Sequence, residues 1–208
     1  MKIGIDARMY STAFTGIGRY VFELITHLQE LDRHNEYVLF LNADGYETCA
    51  VKSKNFEKVL VDAHHYSFAE QTRFLKALYA AKLDLMHFTH FNAPLLYFKP
   101  CIVTIHDLTI SFFPGKKRTN LLERVAYHLS IRSIVWRARK IIAVSNHTKK
   151  DVVNELGANE NKITVIHEGV NEAFHEITDK NLLREFHEKI NIGQPYILYT
   201  GNWRDHKN

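Results

Sequence analysis

"KIGIDARMYSTAFTGIGRYVFELITHLQEL" (residues 2–31) is the stretch whose reading decides the fold. Its opening, "KIGID" (2–6), is a short apolar run and predicts a β-strand. Its second half, "GIGRYVFELITHLQEL" (16–31), repeats apolar residues at helical spacing, with Tyr20, Leu24, Leu28 and Leu31 expected on one stripe. Nine residues separate the two elements, and a glycine pair, Gly16 and Gly18, stands at the start of the helix. Glycine weakens a helix interior by roughly 0.5–1 kcal/mol relative to alanine. At a helix start it serves either to turn a loop into the helix or to let backbone N–H groups approach a ligand closely. The helix dipole favours a phosphate or carboxylate at that end, and Arg19 adds charge in the first turn. Two familiar phosphate loops are excluded by spacing. A GxGxxG fingerprint needs glycine where Val21 stands, and no Gly-Lys-Ser/Thr follows to make a P-loop.

The alternation continues along the chain. "EYVLFLN" (36–42), "EKVLVD" (57–62), "DLMHFT" (84–89), "CIVTIHD" (101–107), "KIIAVS" (140–145) and "KITVI" (162–166) predict strands. "SFAEQTRFLKALYAAK" (67–82) predicts a helix with Ser67 and Glu70 in a capping-box pattern. Helices are also predicted over about 119–138, 146–156 and 179–190. Several strands are continuous apolar runs, as expected where helices cover both faces of a parallel sheet. The predicted fold is therefore α/β, a Rossmann-like doubly wound parallel sheet spanning 1–175. Residues 176–208 read as an interdomain segment and the first strand, "PYILYTG" (195–201), of a second domain that is incomplete here.

Composition bounds the function. With 46% hydrophobic and 24% charged residues, the chain has the makeup of a globular protein with a packed core. No signal-peptide core or long apolar span is evident, and Cys49 and Cys101 make no CxxC pair, so a cytoplasmic setting is expected. The net charge of +4 is unevenly distributed. Residues 115–140 hold eight Lys/Arg against one acid, leaving the remainder slightly acidic. Such a segment faces anions. No zinc-finger spacing or basic–aromatic motif accompanies it, and no nucleic-acid partner is expected. Leu122, Val125, Ala126 and Leu129 would form an apolar side, with Arg124, His128 and Arg132 at every fourth position. That pattern suits peripheral contact with anionic lipid at the inner membrane face, or a core helix with a solvated basic side.

The ordered set "IGIDARM…TGIGRYVFELI", "DLMHFTHFNAPL", "CIVTIHDL", "IIAVSNHTKKDVV", "KITVIHEGVN" and "YILYTGNWRDHKN" resembles the N-terminal half of a glycosyltransferase family 4 enzyme, and in particular its mannosyltransferase-like group. The resemblance implies the two-domain GT-B architecture. It also implies retaining transfer of a hexose such as mannose from a nucleotide-diphosphate sugar to a cell-surface polysaccharide or lipid-linked acceptor. The nucleotide-sugar is then a substrate, and neither a cofactor nor a metal is expected. By the same resemblance the Gly16-Ile17-Gly18-Arg19 loop approaches the donor diphosphate or an acceptor group, and His106 with Asp107 lies at the sheet edge, where the histidine contacts the transferred sugar. Ser145 and Asn146 line the cleft, and Glu168 and Gly169 sit in the interdomain crossover, where Glu168 replaces the more usual asparagine. Lys207 grips the donor phosphates. The arginine usual after the strand's glycine is replaced by Asn202, and Arg204 substitutes by charge alone.

Other readings stay open. The chain could be a non-catalytic acceptor- or membrane-binding domain that needs a partner carrying the donor pocket, or part of a sugar-nucleotide epimerase. His106 could be a core histidine bonded to backbone. His87 and His90, in "HFTH", are three apart, and within a strand they would face opposite sides, which disfavours metal ligation unless the chain bends at Thr89. Glu168 and Glu176 have the E-x7-E spacing, but before the second domain, where it is taken as accidental.

Overall fold

A computed structural model describes residues 1–11, 16–109, 121–170, 174–191, 194 and 196–201, with the backbone only for residues 121–124 and Ala126. Strand β1 (Lys2–Asp6) leads to helix α1 (Gly16–Leu31), β2 (Glu36–Leu41), a short α2 (Ala43–Thr48) and β3 (Phe56–Leu60). A π turn, Glu70–Phe74, runs into α3 (Leu75–Ala80), followed by β4 (Leu85–Phe88) and β5 (Cys101–Ile105). Then come α4 (Leu121–Arg137), β6 (Lys140–Ala143), α5 (Asn146–Leu156), β7 (Ile163–Val165) and α6 (Lys180–Ile190). Among the described residues the strands make one seven-stranded sheet in the order β3-β2-β1-β4-β5-β6-β7, and every pairing is parallel.

Strand β2 shows why the sheet is covered on both sides. Tyr37, Leu39 and Leu41 pack with Val21 and Ile25 of α1, whereas Val38 and Phe40 pack with Phe74 and Leu78 from the opposite layer. A strand that alternates between two apolar layers has no solvent face, so its sequence shows no polar alternation. Strand order reverses between β1 and β4, and the chain leaves these two strands in opposite directions. This is the topological switch point where open α/β sheets place their ligands.

Three sequence expectations are corrected. The buried stripe of α1 is Gly18, Val21, Ile25 and Gln29, rotated from the one expected, and Leu31 is 80% exposed. Burying Val21 and Ile25 contributes about 1.5–3 kcal/mol each. Gln29 is tolerated because its amide donates to the Ala50 carbonyl and accepts from the Lys52 N–H. In α4 Tyr127, Ile131, Ile134 and Val135 are buried, whereas Val125 and Leu129 of the expected apolar side are exposed, which disfavours the core-facing alternative for that side; the side chains of Leu122 and Ala126 lie outside the described residues. Tyr127 packs edge-on against Phe91, and Ile131, Ile134 and Val135 join the same core cluster. Third, residues 196–201 form no strand, and Tyr196–Tyr199 are exposed.

The chain divides into two compact units, Met1–His167 and Glu168–Asn208. The sheet lies wholly in the first. The second holds α6, capped by Asp179, whose carboxylate accepts from the Asn181 N–H at 2.8 Å, with Leu182, Leu183 and Phe186 exposed along the helix.

Helix α5 ends at Gly157 in the left-handed region, φ +66°, with open space around the position of an added Cβ. Gly157→Ala should therefore cost only the backbone term, about 1 kcal/mol, read as a lowered urea midpoint with unchanged slope.

Candidate functional site

The site begins with a charge at the end of a buried strand. Asp6 closes β1, and two residues on Arg8 turns back over it, 2% exposed. Arg8 Nε donates to Asp6 Oδ1 at 2.8 Å and Nη2 to Asp6 Oδ2 at 2.7 Å, a two-pronged pair. Nη2 also donates to Glu70 Oε1 at 2.8 Å, and Nη1 to the Ala63 carbonyl at 3.2 Å. The guanidinium lies 3.9 Å from the centre of the Phe74 ring. Glu70 accepts from the Asn92 amide on Oε1 and from the Tyr66 N–H on Oε2. Burial works to raise the Asp6 pKa, but the charge and hydrogen bonds of Arg8 outweigh it and hold the carboxyl below its ordinary range.

Histidines surround this cluster. His87 is buried in β4, with Nε2 2.8 Å from Thr104 Oγ1, and desolvation pushes its pKa down to about 4. His90 follows a bend and packs on Phe91, and burial, reinforced by His65 and His106, pushes it down to about 3. Burial also lowers His65. The prediction that His87 and His90 face opposite sides assumed a strand through residue 89. Strand β4 stops at Phe88 and the chain bends from Thr89, so the strand alternation does not carry through to His90. Among the described residues no group of three or more His, Cys, Asp or Glu could hold a metal ion.

His106 lies one residue beyond β5 and is held from three directions. Its Nε2 meets the Thr89 carbonyl at 3.0 Å, and a carbonyl only accepts, so Nε2 carries the proton. The Tyr20 ring, from the first turns of α1, makes an edge contact at 4.9 Å between centroids. Tyr20 also places its hydroxyl 3.0 Å from Thr104 Oγ1, which joins it to His87. From the other side, Thr148 Oγ1 donates to the His106 carbonyl at 3.1 Å. Thr148 stands in the first turn of α5, where Ser145 caps the helix by accepting from the Thr148 N–H at 3.0 Å.

The start of α1, the end of β5 and the start of α5 therefore meet at the carboxyl edge of the sheet. Of the residues singled out in the sequence, Gly16, Ile17, Gly18, His106, Asp107, Ser145 and Asn146 all belong to these three segments. Gly16 is exposed, with room around it, whereas Gly18 is buried. Arg19 is engaged at 2.7 Å by Glu23 and lies over the Phe22 ring. Asp107 is exposed and accepts from the Thr109 N–H at 2.8 Å. Glu168 and Gly169 fall in the second unit and are exposed there, and Arg204 and Lys207 lie outside the described residues. Sequence reasoning did not single out Arg8, Asn92, Thr104 or Thr148 and saw Glu70 only as a cap. The available signal was "IDAR", two charges of opposite sign directly after a buried strand.

The depressed histidines set a pH dependence. Folded His87 stays neutral down to about 4, while the unfolded chain takes up its proton near 6.5. Between those values only the unfolded state gains a proton, so stability should fall as pH drops from 6.5 to 4, on the order of 3 kcal/mol from His87. Denaturant midpoints across that window check this, and His87→Gln should flatten the slope.

The chain matches the model of the family described as Glycosyltransferase Family 4 over residues 14–174. A search of curated proteins by sequence finds no match. Among solved structures it is similar to the wall teichoic acid polymerase TagF, with a TM-score of 0.52 and 14% identity over 92% of this chain and 44% of that one. It is also similar to a sucrose-phosphate synthase from Thermosynechococcus elongatus, with a TM-score of 0.52 and 12% identity over 92% of this chain and 100% of that one. The chain spans less than half of the TagF chain. At these identities the likeness is one of fold, the Rossmann-like sheet of GT-B glycosyltransferases. No described helix is long and apolar enough to cross a membrane. Because the family model takes in most of its length, including the rim built around His106, the chain belongs to Glycosyltransferase Family 4.

Proposed function

We propose that the protein is a retaining glycosyltransferase that moves a hexose from a nucleotide-diphosphate sugar to a cell-surface polysaccharide or lipid-linked acceptor, with mannose from GDP-mannose as the specific reading. The observation that carries it is the convergence of the α1 start, His106 and the α5 start on one rim of a parallel sheet. Breaking a sugar–phosphate bond leaves a nucleoside diphosphate, which needs cations and N–H donors aimed at it. The first turn of α1, at Gly16-Ile17-Gly18, is oriented to supply backbone N–H groups and the positive end of a helix dipole. In this reading Arg204 and Lys207 add the cations, and Glu168 and Gly169 line the crossover. His106, on a rigid strand end, orients a hydroxyl of the transferred sugar. No metal enters this reading, and the nucleotide-sugar is consumed as substrate.

Hydrolysis and transfer assays with GDP- and UDP-sugars, run on the full protein, test it. Turnover with GDP-mannose is expected, and silence of a folded protein toward every donor would defeat the proposal. His106→Ala should lower turnover about 100-fold while leaving the thermal midpoint within a few degrees. Equal loss of activity and stability would return His106 to the role of a core histidine.

A second reading, contact with a membrane through residues 115–140, is favoured by α4. Val125, Leu129 and Trp136 point outward, with Arg132 exposed between them. Apolar side chains interleaved with cations suit the boundary of an anionic bilayer. Vesicle flotation should show binding to anionic but not neutral lipid, weakened by Trp136→Ala. Equal binding to both would reject the charge-based account.

A further inference from the structure

The bend at residues 89–92 is gripped from both ends by one buried cluster. At its start, Thr89 Oγ1 donates to the Asp6 carbonyl at 2.6 Å. At its end, the Asn92 amide donates to Glu70 Oε1, the oxygen that also accepts from Arg8. Between these anchors the Thr89 carbonyl accepts the proton of His106 Nε2. We propose that Arg8, Glu70 and Asn92 are positioning residues that fix the 89–92 bend and, through the Thr89 carbonyl, the tautomer and orientation of the His106 ring. The inference rests on the reading of His106 as the group that contacts the transferred sugar.

The chemistry of the cluster supports this role. Ion pairs this deeply buried contribute little net stability, since apolar residues of the same volume often serve as well or better. What a guanidinium between two carboxylates supplies is direction. Its planar fork fixes where each acceptor must lie, which an ammonium or an apolar side chain does not. The acceptors of Arg8 belong to the end of β1 (Asp6), the loop after β3 (Ala63) and the π turn (Glu70). Glu70 extends the fork to the loop after β4 through Asn92. It also accepts the N–H of Tyr66, a bulky residue held at φ 61°, where such side chains are rare. Three rim loops are thereby referred to one charge. A π turn starting at Glu70 delivers the carboxylate inward, although a capping box alone would turn it back along the helix.

Two variants separate this from a general brace. Glu70→Gln keeps the size but cannot accept on both sides, because its amide nitrogen meets either Tyr66 N–H or the Arg8 and Asn92 donors. Asn92→Ala removes the bond from Glu70 to the far end of the bend and leaves the Thr89–Asp6 bond in place, and it carries the test if the first variant does not fold. Arg73→Ala, which breaks an exposed pair with Asp62, is the control. Ring nitrogen signals of histidine-labelled full protein, with His106 assigned by its loss in His106→Asn, report the tautomer without any substrate. The wild type should show the proton on Nε2. Both cluster variants should shift or split the His106 signals and lower kcat in the GDP- and UDP-sugar assay by up to about 100-fold, while the control moves neither. Unchanged His106 signals in both variants overturn the proposal, whatever the turnover. Shifted signals with unchanged turnover uphold the positioning and remove His106 from the proposed chemistry.

Discussion

A single guanidinium, sealed from water at the switch point, is the constraint on which the rim depends. Arg8 cannot lose its charge, and every donor it turns inward needs an acceptor at a fixed angle. Removing one partner would strand a buried charge, a loss of several kcal/mol. The loops after β1 and β3 and the π turn before α3 are therefore not independent. Asn42 reinforces the arrangement from β2, since its amide donates to the Arg8 carbonyl while its oxygen caps α2 at the Gly45 N–H.

In the proposed function His106 is the link from scaffold to chemistry. Its ring answers to the bend after β4 and its backbone carbonyl to α5. A strand end with both halves of a residue held this way is a stiffer support than a loop, and stiffness is what the proposed contact with a sugar would require. Thr104, two positions earlier on the same face of β5, connects Tyr20 of α1 to His87 of β4, so the histidine's neighbours are themselves tied across three elements.

Much of the fold was legible because it rests on periodicity. The limits of β1 and α1 follow from a short apolar run and from helical spacing that begins at the glycine pair. The inward face of α1 was misread because Tyr20, Leu24, Leu28 and Leu31 repeat at helical spacing just as well as Val21, Ile25 and Gln29. Tertiary contacts chose between two stripes that local pattern leaves equal, and a buried glutamine carries no apolar signal. The site was half legible. His106 and the glycine pair announce themselves by position at element ends. The Arg8–Glu70 pair does not, because its partners are 62 residues apart and Glu70 sits in a pattern that already has a local explanation.

The two margins of the sheet have their own consequence. An open row of unpaired amides invites strands from other molecules. Here one margin, β7, is only three residues long, and the other, β3, carries Glu57 and Lys58. Lys58 folds back on the carbonyls of Tyr46 and Cys49, and Glu57 pairs with Lys2. The apolar centre of the sheet is thus flanked, among the described residues, by one short margin and one charged margin, neither of which offers a long apolar row for a foreign strand to pair with.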